Sequence, residues 1–214
     1  MNPYYHEFKQ IIEQEDRQKA LTFILNLLHE KNLSIITVYE ELLAPVLYDL
    51  EQTNNEDLDI WKEHVRTSIV TTIVENCYMD VIKQRDETYG ILSDKRIAVI
   101  CPVDEHHELG ARMIKDYFTL LGYQAIFVGS NTPLRVSIAG LTTQNLNYIA
   151  ISITNPYHLI AARNTIEKIR ETNDKVKIIV GGSAIKKLGK KAKILKADYY
   201  LTTFDDIIAI QEDL

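Results

Sequence analysis

The sequence is poor in the features that mark several common protein classes. Only two of its 214 residues are cysteines, Cys77 and Cys101, and both sit in apolar segments far apart, so they read as reduced core thiols and not as a disulfide. Positive charge is not in excess. The formal net charge is −6, which argues against the basic footprint of a dedicated nucleic-acid binder. No run reaches the roughly 18 apolar residues that a membrane span needs. The opening Met1-Asn-Pro-Tyr-Tyr-His lacks the basic region and the apolar stretch of a secretory signal. Internal repeats, low-complexity tracts and a Gly-x-x-x-x-Gly-Lys-Ser/Thr phosphate loop are also missing. The expectation is a soluble cytoplasmic protein that touches neither nucleic acid nor membrane directly. What is present is ordinary globular composition, 46% apolar and 25% charged, enough for a buried core.

The apolar residues follow two rhythms. Through the first ninety residues they fall at helical spacing. A short helix is expected around Tyr5–Glu13 and another from Asp16 to His29. A third starts between Ser34 and Thr37 and runs to about Leu50, with Thr37-x-x-Glu40 as a capping box and a kink at Pro45. A long helix follows from about Leu58 to Lys83, and the four together suggest a helical bundle over residues 1–90. Arg85–Asp94 reads as a linker. Beyond it, short apolar runs rich in β-branched residues at 97–101, 123–128, 148–153 and 176–180, with a weaker one at Tyr199–Thr202, alternate with helical patterns such as Leu109–Leu121 and Leu159–Arg170. That alternation predicts an α/β fold over 95–214, a five-stranded parallel sheet of flavodoxin-like, Rossmann-like order, with its crevice at the ends of the first and third strands.

The loops at that sheet edge carry the chemistry. After the first strand comes Glu105-x-His107-x-x-Gly110, within Cys101-Pro-Val-Asp-Glu-His-His-Glu-Leu-Gly110. A carboxylate two residues from a histidine is how proteins orient an imidazole that ligates a metal. Next come Val128-Gly-Ser-Asn-Thr-Pro133, then the hydroxyls of Ser152 and Thr154, then Gly181-Gly182, where missing side chains leave room beside the backbone. Taken singly, each has a plainer reading: a solvated histidine, helix-capping hydroxyls, a strand-end turn, a core cysteine at 101. Together they describe a slot for a large ligand. A receiver domain is disfavoured because Thr154 stands where a phosphoacceptor aspartate belongs. A zinc site from Asp104, Glu105, His106, His107 and Glu108 needs three or four convergent ligands, which neighbours on one loop rarely supply.

These motifs resemble the cobalamin-binding domain shared by methionine synthases, corrinoid methyl carriers and cobalamin-dependent regulators: acid-x-His-x-x-Gly, Ser-x-Leu/Thr, Gly-Gly. The resemblance covers nearly the whole chain, with the amino-terminal half similar to the family's helical cap. A competing pair, Asp104 and His106, leaves three residues before Gly110 instead of two, so Glu105 and His107 fit better. The resemblance implies that His107 replaces the lower base as ligand to cobalt and that Glu105 holds its other nitrogen. Ser152 would meet the displaced base, and Gly181 and Gly182 would line the tunnel for the nucleotide tail. The cofactor is then a cobalamin in its adenosyl, methyl or hydroxo form.

Glu-x-His-Glu-Leu-Gly, Gly129-x-x-Thr-Pro133 and the pair Glu63-His64 look closer to the sensors of this family. At the position of the sensors' tryptophan the chain has Thr53, and the nearby Trp61 is expected in the bundle core. The resulting expectation is a sensor or regulatory module, including in transcription regulation, which is not an enzyme by itself and acts through a protein partner or homo-oligomer. The alternative is a corrinoid methyl-carrier subunit of a methyltransferase system. The lysines at 186, 187, 190, 191, 193 and 196 read as a solvated face.

Overall fold

The computed structural model describes residues 2–49, 52–92 and 94–212, so Leu50 and Ser93, which the helix and linker expectations include, lie outside it. The chain divides into two compact units, Met1–Gln84 and Arg85–Leu214.

The first unit is helical: α1 (Tyr5–Glu13), α2 (Arg17–His29), α3 (Ile35–Val38), α4 (Ala44–Tyr48), α5 (Glu56–Asn76) and α6 (Tyr78–Thr88), in which the division between units falls. Phe8, Ile12, Ala20, Ile24, Leu42, Val70 and Ile73 are among the residues that form its core. Side-chain caps open α2, α3 and α5, where Asp16, Ser34 and Asn55 accept the amides of Lys19, Thr37 and Leu58. The expected capping box at Thr37 is therefore corrected: Ser34, three residues earlier, is the cap. Pro45 produces a widened turn instead of a simple kink. Between α3 and α4 the chain forms a π turn over Tyr39–Leu43, and the Ala44 amide reaches back to the Tyr39 carbonyl. The wide turn makes room for a ring that carries no N–H of its own. Buried Arg66 donates from α5 to the carbonyls of Val46 and Asp49 (2.7 and 2.8 Å), which closes the end of α4. The expected long fourth helix is divided by a turn at Cys77 into α5 and α6, although Cys77 still donates to Ile73 and accepts from Val81. The linker expected from Arg85 is helical as far as Thr88, and Gly90, at φ 74°, then turns the chain out of α6.

The second unit is a parallel sheet with helices on both faces. Its strands are β1 (Arg96–Ile100), β2 (Gln124–Gly129), β3 (Tyr148–Ser152), β4 (Lys177–Gly181) and β5 (Tyr199–Tyr200), in the order β2-β1-β3-β4-β5 expected from the sequence. Between and after them run α7 (Leu109–Leu120), α8 (Leu134–Thr143), α9 (Leu159–Thr172), α10 (Ser183–Leu188) and α11 (Phe204–Glu212). Period-two alternation splits each strand between two cores. Ala98, Ile100, Ile149, Ile151, Ile178 and Val180 pack with Leu141 of α8 and Ala162, Ile166 and Ile169 of α9. On α7, Phe118 and Leu120 are buried, and Tyr117 meets Phe204 of α11 edge to face at 4.9 Å. The β1–β2 register shifts between Val99 and Ile100, so Val128 bulges and Gly129 pairs with Ile100. That bulge aims the chain leaving β2 toward the loop leaving β1. Among the described residues, no helix is long and apolar enough to cross a membrane.

Candidate functional site

The loop between β1 and α7 is built to present one imidazole. Pro102 ends the strand and accepts the Glu105 amide (3.0 Å), while Asp104 takes a left-handed turn at φ 66°. These two features drive the Glu105 side chain inward, where it is completely buried, and leave His107 with 55% of its side chain exposed. Glu105 Oε1 accepts from His107 Nδ1 at 2.6 Å and from the His107 amide at 3.2 Å. Its other oxygen, Oε2, accepts the amides of Thr154 and Asn155 at 2.9 and 2.8 Å. The carboxylate thus ties the loop after β1 to the loop after β3.

Burial alone would raise the Glu105 carboxyl, but the Asn155 amide, the ring and amide of His107 and the Thr154 amide outweigh it and hold the group below its ordinary range. An ionised carboxylate only accepts, so the proton between the two groups sits on Nδ1, and Nε2 is the nitrogen that Glu105 does not engage. Among the described residues, Nε2 has no hydrogen-bond partner. No hydrogen bond joins the competing pair Asp104 and His106 there either. Cys101 sits behind the loop as a buried free thiol, pushed up to about 12 by burial and the nearby Glu105 and Glu108 carboxylates.

The remaining sequence candidates have separate positions. Gly110 lies in the first turn of α7, and a Cβ added there would meet nothing within 4 Å. Ser152 ends β3 and is buried, and its hydroxyl has no partner among the described residues. Thr154 acts here through its backbone: its amide serves Glu105 and its carbonyl accepts the Ser183 hydroxyl at 2.9 Å. Gly182, at φ 102°, cannot carry a side chain, since a Cβ would stand 2.4 Å from the Ile153 carbonyl oxygen. Gly181 faces Leu201, whose Cβ would lie 3.3 Å from an added Cβ. At least part of the glycine requirement is therefore internal to the sheet.

In the helical unit, Glu63 and His64 are exposed on α5. Trp61 is not in the bundle core as expected, being 60% exposed beside Leu58 and Ile60. Its place in the first turns of α5 precedes the buried stretch that starts at Arg66. The Thr53 amide donates to both Asp59 carboxylate oxygens (3.0 and 2.9 Å). The six lysines at 186–196 are all exposed. Sequence reasoning missed the Asn155 amide and Asn131, whose side chain accepts the Asp104 amide at 2.9 Å. A backbone donor leaves no side-chain signal, but an asparagine following Gly-Ser in a turn is a sign of left-handed backbone.

The carboxyl-terminal unit answers to a known family model: that of the B12 binding domain matches residues 95–208. The chain belongs to the B12-binding family. Three solved structures share the fold of this B12-binding chain. The Methanosarcina barkeri monomethylamine corrinoid protein aligns over 97% of each chain at TM-score 0.80 and 11% identity. A novel cobalamin-binding protein from Desulfitobacterium hafniense DCB-2 aligns over 97% of this chain and 96% of its own, at TM-score 0.52 and 15% identity. A chain of the methanol:cobalamin methyltransferase complex from Methanosarcina barkeri aligns over 96% of this chain and 77% of its own, at TM-score 0.50 and 12% identity. No curated protein sequence matches.

The cofactor of this family member is a cobalamin, and the donor set suits one. Among the described residues, no group of three or more His, Cys, Asp or Glu can hold a metal ion by itself. A metal taken by His107 therefore draws its other ligands from elsewhere, as a cobalt already held in a macrocycle does. Val103, Tyr157 and Ile160, on or just after the loops that follow β1 and β3, leave apolar surface exposed on the same edge as the ring.

Proposed function

We propose that the chain is a corrinoid methyl carrier in which His107 would hold the cobalt through Nε2. Bound cobalamin supplies a cobalt that accepts and gives up methyl groups; the protein supplies ligation and access. Glu105 keeps the proton on Nδ1 and the ring in place. The free Ser152 hydroxyl is available to the displaced base, and the Gly110 position leaves space over the first turn of α7. Gly181 and Gly182 border the path of the nucleotide tail. A partner methyltransferase loads and unloads the carrier.

The half-exposed His107 ring, held at Nδ1 by a buried carboxylate and with Nε2 unpartnered among the described residues, carries the cobalt-binding part of this reading. Fold likeness along the whole length of a corrinoid protein named for monomethylamine, and to a chain from a methanol:cobalamin methyltransferase complex, supports the carrier over the sensor. The sensor remains the second reading because Glu63-His64 stands exposed on α5 with Trp61 nearby.

One experiment separates the two. Protein reconstituted with hydroxocobalamin, reduced, and treated with labelled methyl iodide should take up the label and release it to a thiol acceptor. His107→Ala should change the rate of both steps. A protein that keeps its label against every acceptor, yet changes oligomeric state with bound adenosylcobalamin or with light, is a sensor instead.

A further inference from the structure

The loop that carries His107 is held from two sides, and only one of them is accounted for by the carboxylate. In the sheet, β1 lies between β2 and β3. On the β3 side, the amides of Thr154 and Asn155 grip the Glu105 side chain. On the β2 side, the exit turn grips the Glu105 backbone. The Asn131 amide donates to the Glu105 carbonyl at 2.9 Å, and Asn131 Oδ1 accepts the Asp104 amide at 2.9 Å. Deeper in the same turn, Thr132 donates its amide to the Cys101 carbonyl and Cys101 donates to Gly129, both at 3.0 Å. Buried Thr132 also ties its hydroxyl to Gly129 at 2.9 Å.

Asn131 is suited to this place by its own conformation. It lies at φ 47° and Asp104 at φ 66°, so two left-handed residues face each other across paired loops. Asparagine enters that region at lower cost than most residues. With the Asn131 bond added, the Glu105 amide, carbonyl and both carboxylate oxygens all have partners, which leaves the residue that aims the imidazole no freedom to rotate.

We infer that Asn131 is a positioning residue for the metal-binding imidazole: through Asp104 and the Glu105 carbonyl it fixes the segment from which His107 projects. This rests on the proposed ligation by His107. The role is indirect, since Asn131 need not touch the cofactor.

The test uses the full chain with hydroxocobalamin and three variants. Asn131→Ala removes the side-chain acceptor and the left-handed tolerance. It should weaken cobalamin binding about tenfold, as losses behind a metal ligand do, and lower the histidine-ligated fraction in the absorption spectrum at saturating cofactor. Asn131→Gly keeps the backbone freedom and loses only the acceptor, so it should fall between the wild type and Asn131→Ala. Asn131→Asp retains an acceptor at the same reach and should lie closest to wild type. Melting of the cofactor-free proteins provides the control. A merely structural role would lower the melting temperature and leave the ligated fraction of loaded protein intact, and that result overturns the inference. His107→Ala sets the spectrum without ligation. A wild-type spectrum identical to it overturns the ligation reading and this inference together, whereas a normal wild type with an unaltered Asn131→Ala overturns this inference alone.

Discussion

Glu105 and His107 are joined twice through a single oxygen, Oε1, which accepts both the ring Nδ1 at 2.6 Å and the main-chain amide at 3.2 Å. The ring is thereby fixed relative to its own backbone. The second oxygen is committed to Thr154 and Asn155 on another loop. Side-chain length is what allows one carboxylate to serve both.

Glu105→Asp should therefore not behave as a conservative change. Shortened by one methylene, the carboxylate cannot reach the ring and both amides together. Leaving a buried amide unpaired costs about 1–3 kcal/mol. Chemical denaturation should show a loss of that size, and the histidine-ligated cobalamin spectrum should weaken. Unchanged stability and an unchanged spectrum in the aspartate variant would refute the clamp.

Acid should expose the same clamp. Glu105 is held below its ordinary value of 4.5, so its stabilisation is complete above that value and is lost as pH falls through the lower folded one. Wild type should lose more stability than Glu105→Gln between pH 7 and this acid range. Parallel urea midpoints for the two proteins would measure the difference.

Two glycines should respond in opposite ways. Gly110→Ala meets no neighbour within 4 Å and replaces glycine in a helix, so cofactor-free protein should gain about 0.5 kcal/mol while cobalamin affinity falls. Gly182→Ala combines a Cβ 2.4 Å from the Ile153 oxygen with φ 102°, and should cost on the order of 3 kcal/mol with or without cofactor. Thermal melts of apo and loaded forms distinguish the patterns. Equal effects of Gly110→Ala on both forms would remove it from the binding surface.

Cys101 should be inert in the folded protein. Its thiol is buried and pushed up to about 12, and Cys77 is buried as well. A thiol-reactive dye should label neither until denaturant is added. Rapid labelling of native protein would contradict the packing around the β1 exit.

The sheet was legible because buried parallel strands are short, apolar and β-branched, and because strand–helix alternation restricts their order. Ile97–Ile100 and Ile149–Ile151 carry that signal in full. The helical unit was less legible where neighbouring residues compete for one role. Ser34 and Thr37 both resemble caps, and only the Ser34 hydroxyl meets a free amide. The turn at Cys77 that divides α5 from α6 has no breaker residue to announce it. Trp61 was misplaced because an aromatic on a helix suggests burial, whereas here the buried face of α5 starts later, at Arg66. In the site, side chains such as Glu105 and His107 could be read from spacing. The amides of Thr154 and Asn155 could not, since every residue but proline has one.

The enclosure of Glu105 has a consequence for its charge. No part of its side chain meets water, and each oxygen is already engaged by two hydrogen atoms. Among its partners, only the half-exposed imidazole ring of His107 is a side chain; the others are main-chain amides. Anything that covers that ring further insulates the charge beneath it.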